Sequence, residues 1–241
     1  MEWQDEGVLL SARPHGETSV IAEVFTCGHG RHAGVVRGGA SRRMAAHLQP
    51  GTQLAVTWRA RLDDHVGSFT VEPLRQRAGL LADRTRLAAL TSVCTLLRLA
   101  LPERDAHATL WLATVGFLDA LEAADTNWPM GYLRWELGLL DDIGFGLDLA
   151  RCAVTGATDD LAYVSPRTGR AVSRAAAGDW ADRLLALPPC LSGQGQDDDP
   201  GIVQGLAVTG HFLARELSRP GTLASEPEAR QRLITLMARQ A

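Results

Sequence analysis

The sequence contains no lysine, so all 24 of its basic side chains are arginine. A phosphate-binding loop of the GxxxxGK[ST] type is thereby excluded, and every cation is a planar fork suited to phosphate and to stacking on bases. Aromatic residues make up only 5% of the chain, and the first 77 residues hold just Trp3, Phe25, Trp58 and Phe69. Any nucleic-acid contact there rests on phosphates more than on a platform of stacked rings. The four cysteines, Cys27, Cys94, Cys152 and Cys190, are far apart and form no CxxC pair. That argues against a disulfide framework and for reduced, buried thiols in a cytoplasmic protein. No apolar run approaches the roughly 20 residues that span a bilayer, and no charged segment followed by an apolar stretch opens the chain. A soluble, unexported protein without membrane partners is the expectation.

Catalytic patterns are missing as well. There is no GxSxG elbow, no HExxH or HxxxH spacing, and no GxGxxG after a strand. Gly193-Gln194-Gly195 lies in a polar loop, and Asp141-Asp142 and Asp197-Asp198-Asp199 lack the interval of a calcium loop. No enzyme activity, cofactor or metal is expected. A small hydrolase with an unrecognised His/Asp site, such as a nuclease, stays open as a rival that no motif supports.

What is present begins with local charge. The net charge of -4 speaks against a nucleic-acid binder, but it is unevenly distributed. Residues 1–77 carry nine arginines and eight carboxylates, or +1, and residues 78–241 carry -5. Between Glu23 and Asp63 there is no acid, while Arg31, Arg37, Arg42, Arg43, Arg59 and Arg61 all fall inside, with His29, His32 and His47. A field that attracts phosphate depends on such local density.

The apolar pattern changes period near residues 75–80. Before that point, runs at 7–13, 19–26, 32–37, 52–61 and 67–73 read as short strands separated by Gly, Pro and Asp turns, which predicts a small barrel or sandwich. Leu54, Val56 and Trp58 alternate with Arg59 and Arg61, placing Trp58 inward and the arginines on the opposite face. After it, Leu80 to Leu101 follows helical spacing up to Pro102, and Leu110 to Leu121 repeats it. Asn127 is a candidate N-cap before Trp128-Pro129, opening a helix that ends at Gly144. Further helices are predicted at about 174–187, 200–218 and 226–239, with a hairpin of 161–164 and 170–173 around Ser165–Gly169. Residues 192–200 form a polar loop. Strands first and helices afterwards indicate an α+β chain of two units, a five-stranded barrel at 1–77 and an all-helical domain at 78–241 with a small hairpin inserted near 161–173.

The ordered set of local motifs resembles the RecO family. Asp5–Leu10 with His15–Ser19 is similar to the family's opening, as are His29-Gly30-Arg31, Arg37–Arg43 and Leu48–Gly51. Cys152–Gly156 leading into Tyr163–Pro166 and Gly169–Val172 resembles its central segment, and Thr209–Leu213 its late helix. The resemblance implies an OB-fold that binds single- and double-stranded DNA and anneals complementary strands. It also implies work with a RecR-type partner and the single-stranded DNA-binding protein to load recombinase. One departure matters: several members carry a four-cysteine zinc site, whereas here Thr155-Gly156 stands where the CxxC partner of Cys152 would be. No zinc is expected, and packing is left to hold the hairpin.

Arg31, Arg37, Arg42 and Arg43 are the first candidates for phosphate contact, with Arg37–Arg43 read as a glycine-rich loop whose amides can approach phosphates. Arg59 and Arg61 extend them, or are a barrel exterior balanced by Asp63 and Asp64. His29 and His32 read as surface residues beside a turn, and His211 and Phe212 as packing in a helix. The resemblance further implies a helical-domain site for the acidic, apolar tail of the single-stranded DNA-binding protein; Arg98, Arg134 and Arg215 are its candidates. The near-neutral charge of residues 1–77 keeps open a protein-only adaptor whose OB-fold does not touch nucleic acid.

Overall fold

In the computed structural model, the structure describes residues 1–62, 65–192, 199–217 and 226–239. The chain divides into two compact units, Met1–Ala124 and Asp125–Ala241. The first opens with five strands: β1 (Glu2–His15), β2 (Ser19–Thr26), β3 (Gly30–Val36), β4 (Gln53–Arg59) and β5 (Ser68–Arg75). They close into a barrel in the order β1-β2-β3-β5-β4. Neighbours are antiparallel except β3 and β5, which run parallel. That ring, with a helix between the third and fourth strands, is the OB arrangement.

The strand alternation is what fills the barrel. Leu9, Val20, Ala22, Val24, Val36, Leu54, Val56, Trp58 and Phe69 form one buried cluster. Trp58 faces inward as predicted and is fully buried, its indole N–H donating to the Val66 carbonyl at 3.0 Å. Gly34 sits beside the Phe69 ring, where a Cβ would come within 2.4 Å of a ring carbon, so the position has no room for a side chain. β1 begins at Glu2, well before the predicted Gly7. Its polar first half, Glu2, Gln4 and Glu6, pairs with Arg59, Thr57 and Ala55 of β4. Period-2 burial with few apolar members is hard to see in sequence. From Gly7 to Leu10 every residue is buried, because helix α2 (Arg84–Ala100) packs against β1; the Cys94 thiol points at the Leu9 carbonyl, 3.9 Å away. Burial pushes that thiol up to about 12.

The glycine-rich loop predicted over 37–43 is shorter than expected. Arg42 and Arg43 open a helix, α1 (Arg42–His47), capped by the Ser41 hydroxyl, which accepts from the Met44 N–H. α2 is capped by Asp83, whose carboxylate accepts from Thr85 and Arg86 at 2.9 and 3.0 Å. α3 (Ala108–Glu122) completes the first unit's helices. Arg77, buried at the end of the barrel, donates to the Gly51 carbonyl at 2.7 Å, to Gln53 at 3.0 Å and to Asp119 of α3 at 2.6 Å.

The second unit is built on α4 (Trp128–Asp142) and α7 (Asp199–Leu217), with α8 (Glu228–Met237) against α7. Asn127 occupies the N-cap position of α4 without a side-chain bond; it is Asp125 that accepts from the Asn127 N–H, at 2.9 Å. The predicted hairpin is present as β6 (Leu161–Val164) and β7 (Ala171–Ser173). The helix predicted over 174–187 is not. α5 (Arg174–Ala177) stops at Gly178, whose φ of +48° leaves the helical basin; a 3₁₀ turn follows, then β8 (Leu185–Ala186) pairs with β6. A short α6 (Pro189–Ser192) precedes the stretch 193–198, which, like Asp63-Asp64, lies outside the described residues. Cys152 packs with Val172 and Ala177 beneath the hairpin and accepts the Ser173 N–H at 3.3 Å. Burial raises its pKa, but bonds from Thr155 and Ser173 outweigh this and bring the thiol to about 6. Among the described residues no helix is long and apolar enough to cross a membrane.

Candidate nucleic-acid interface

Strand ends and a turn bring three of the predicted arginines to one place. Arg37 leaves the end of β3, Arg59 ends β4, and Arg61 follows it towards β5. All three are exposed and line a shallow cleft of about 690 Å³, with Met1, Glu2, Val35, His65 and Ser68 among its other residues. The register explains the convergence. Val35 is opposite Ser68, and Ser68 is opposite Arg59, so the outward side chains of three strands share one row. The same row continues the other way through Ile21 to Arg13 of β1. Arg13 and His15 are exposed on this outer face. They escaped the sequence reading because they precede the acid-free stretch; the strand period of β1 past its bulge was the signal that could have found them.

Arg42 and Arg43 are exposed on α1, outside the lining of the cleft. Among the described residues, no carboxylate lies within 4.0 Å of Arg37, Arg42, Arg43 or Arg61. Arg59 differs. Glu2, directly opposite it on β1, meets its guanidinium at 2.7 Å. This pair lowers the Glu2 carboxyl below its usual range and raises Arg59, the side-chain hydrogen bond being the largest cause for both.

Arg31 departs from its predicted role. Its side chain is only 15% exposed, lies 3.5 Å from Glu23 and 3.4 Å from Glu103, and donates to the Leu101 carbonyl at 3.1 Å. Its own carbonyl accepts the Arg104 N–H at 2.8 Å. Arg31 therefore fastens β3 to the α2–α3 connection and is not displayed for a ligand. Next to it, Gly30 has φ +65°, and a Cβ there would overlap the Asp105 carbonyl oxygen, which shows how closely that connection presses. The two histidines beside Arg31 are engaged too. His29 stacks on Trp3 at 4.0 Å with its Nδ1 3.0 Å from Asp5, and His32 is buried edge-on to Trp58 at 4.7 Å. A surface reading is thus wrong for His32.

The helical candidates fall in different units. Arg98, in α2, holds Glu23 at 2.9 Å. Arg134 is exposed on α4. Arg215 lies over the Phe212 ring at 5.1 Å and donates to the Pro166 and Arg167 carbonyls at 3.0 and 3.1 Å. Phe212 is buried as expected, and His211 is exposed, its Nε2 3.2 Å from the Pro166 carbonyl oxygen.

A closed five-stranded barrel with this strand order, joined in one chain to a mainly helical unit, marks the class: an OB-fold protein with an arginine-lined outer cleft. Residues 1–77 match the family model described as Recombination protein O N terminal, and residues 81–224 match Recombination protein O C terminal. A DNA repair protein RecO of Cereibacter sphaeroides is 62% identical over 239 residues, covering 99% of both chains. Those of Ruegeria sp. (strain TM1040) and Dinoroseobacter shibae are 55% and 56% identical over 241 and 240 residues, covering 100% and 99% of both chains. The chain belongs to the RecO family, whose members act in DNA repair and recombination.

Proposed function

We propose that the barrel binds single- and double-stranded DNA by phosphate contact at the Arg37/Arg59/Arg61 cleft, with Arg42, Arg43, Arg13 and His15 widening the basic face. The observation that carries this reading is the convergence in one cleft of three exposed guanidinium groups, Arg37 from the end of β3 and Arg59 and Arg61 from the end of β4 and just beyond it. Guanidinium groups neutralise phosphates and release counterions without reading sequence, so the binding is electrostatic and steeply salt-dependent. Held together by such contacts, complementary strands anneal without covalent chemistry, and the reading assigns the chain no enzyme activity. Arg31 is left out, since carboxylates already neutralise it.

In the same reading, the protein works with a RecR-type partner and with single-stranded DNA-binding protein to load recombinase. The acidic tail of the latter is assigned to the second unit, with Arg134 and Arg215 as candidates, Arg215 being already 3.0 Å from Glu216; Arg98, which carries Glu23, lies in the first unit. The test is a salt titration of fluorescent single-stranded DNA binding, comparing wild type with Arg37→Ala/Arg59→Ala/Arg61→Ala. At about 0.7 per phosphate for single strands, the variant's slope of log K against log salt should be shallower by about 2. No wild-type binding at low salt would favour the protein-only adaptor.

A further inference from the structure

We infer that Glu2 is a built-in competitor for the DNA backbone: its carboxylate occupies Arg59 in the cleft, and a phosphate must displace it to use that arginine. The inference rests on the reading of the cleft as a nucleic-acid interface.

The geometry is specific. Glu2 and Arg59 are register partners across β1 and β4, and the contact is 2.7 Å between Oε1 and Nη2. Both residues line the cleft that also holds Arg37 and Arg61. Glu2 is the only carboxylate among the cleft's described lining residues. A carboxylate and a phosphate present the same oxygen chemistry to a guanidinium fork, so the two compete for the same donors.

The exposure of the pair decides that the competition is reversible. The side chains are 62% and 48% exposed, so Glu2 gives up Arg59 to solvent and ligand without leaving a buried charge behind. Contrast Arg31, 15% exposed, whose partner Glu23 is only 11% exposed, so that this pair has little access to solvent or ligand. Glu2 thus weakens DNA binding in two ways: it neutralises one cation at rest, and it repels a phosphate that comes to lie beside it. A barrel that must release DNA as well as capture it is tuned by such a residue at little expense to its fold.

The experiment is a double-mutant cycle on DNA affinity with Glu2→Gln and Arg59→Ala, in the full chain, with a fluorescent single-stranded oligonucleotide at low salt. Glu2→Gln keeps the side-chain length and the strand pairing. It should tighten binding about two- to fivefold, the factor expected from an exposed ion pair. The salt slope should stay within about 0.7 of wild type, because a bound phosphate displaces Glu2 and uses Arg59 in both proteins. In the Arg59→Ala background the gain should shrink to the small long-range repulsion. Glu2→Asp keeps the charge but shortens the reach to Arg59, and should fall between wild type and Glu2→Gln. A thermal melt of each variant confirms an unchanged fold.

An equal gain with and without Arg59 overturns the inference, because it makes Glu2 a diffuse charge and not the occupant of Arg59. An unchanged or weaker affinity for Glu2→Gln, where wild type binds and Arg59→Ala binds less well, overturns it too and leaves the DNA reading standing. Wild type that does not bind overturns both.

Discussion

Arg230 of the second unit and Arg59 of the first each meet a glutamate, at 2.6 and 2.7 Å, but in opposite surroundings. The Arg230 side chain is 2% exposed and its partner Glu136 not at all, and the guanidinium also bonds Thr209, the Leu206 carbonyl and Glu226. Burial disfavours that charge, but Glu136 outweighs it and holds Arg230 in the charged form. The Arg59 pair is solvent-exposed in an open cleft with neighbouring cations. Water is the difference. Where it is excluded, each charge is bound to its partner by the penalty of being left alone; where it is present, partners exchange and a ligand can enter. Arg230 holds α4, α7 and α8 together, whereas Arg59 is displayed at the cleft.

The largest effect that tests this contrast is expected from Arg230→Ala. Removing one partner of a buried pair strands Glu136, and the loss should be about 3–5 kcal/mol of unfolding free energy in urea denaturation. DNA affinity at temperatures where the variant is folded should be unchanged. If Arg230→Ala is nearly neutral, the buried network is not the anchor described.

Arg77→Ala should come next, at about 2–4 kcal/mol, because it leaves the Gly51 carbonyl without its donor and Asp119, itself 39% exposed, with only Arg75. Denaturation of the full chain reads this directly. A loss below that of a surface substitution would show that the barrel and α3 do not depend on it.

Asp5 offers a smaller, pH-dependent effect. Burial raises its carboxyl, but the bond to His29 and the Gly28 and Glu6 N–H groups outweigh it, so its pKa is depressed on folding. The stabilisation it provides is therefore present above the unfolded aspartate value of about 3.9 and is lost as pH falls through the lower folded one. Asp5→Asn should be less stable than wild type at neutral pH, and the gap should close in strong acid. A gap independent of pH would place the effect in packing instead of charge.

The smallest stability change is expected at the exposed arginines of the basic face. Arg37→Ala, Arg42→Ala and Arg61→Ala should each stay within about 0.5 kcal/mol of wild type in the same denaturation assay, since none has a carboxylate partner among the described residues. A larger loss at any of them would move that arginine from the displayed group to the structural one.

Much of this architecture was readable beforehand. The shift from period 2 to helical spacing placed five strands before the helices, and inward-facing Leu54, Val56 and Trp58 were visible as alternation. The hairpin at 161–173 and helices α4, α7 and α8 followed from periodicity and turn residues. Legibility failed where apolar pattern was thin or local. The polar first half of β1 has little apolar period, α1 is too short to show one, and at 174–187 a single glycine conformation ends a helix that alanines would extend.

At the candidate site, the sequence grouped the arginines by their place along the chain and could not tell the exposed ones from the engaged ones. Of the arginines in the acid-free run from Glu23 to Asp63, Arg37, Arg42, Arg43, Arg59 and Arg61 are exposed. Arg31 is instead engaged by Glu23 and by Glu103, which arrives from the α2–α3 connection, and Glu2 reaches Arg59 because β1 pairs with β4; neither pairing is visible along the chain.

The amino-acid order by itself determined the α+β succession, the barrel's inward residues, the absence of lysine chemistry and the likeness to the RecO family. Only the tertiary structure decided which arginines are displayed, which are neutralised and which hold the fold. The physical reason is that a charge responds to what lies within a few ångströms. Strand register and helix packing set those neighbours, bringing together groups such as Arg31 and Glu103 that are far apart along the chain.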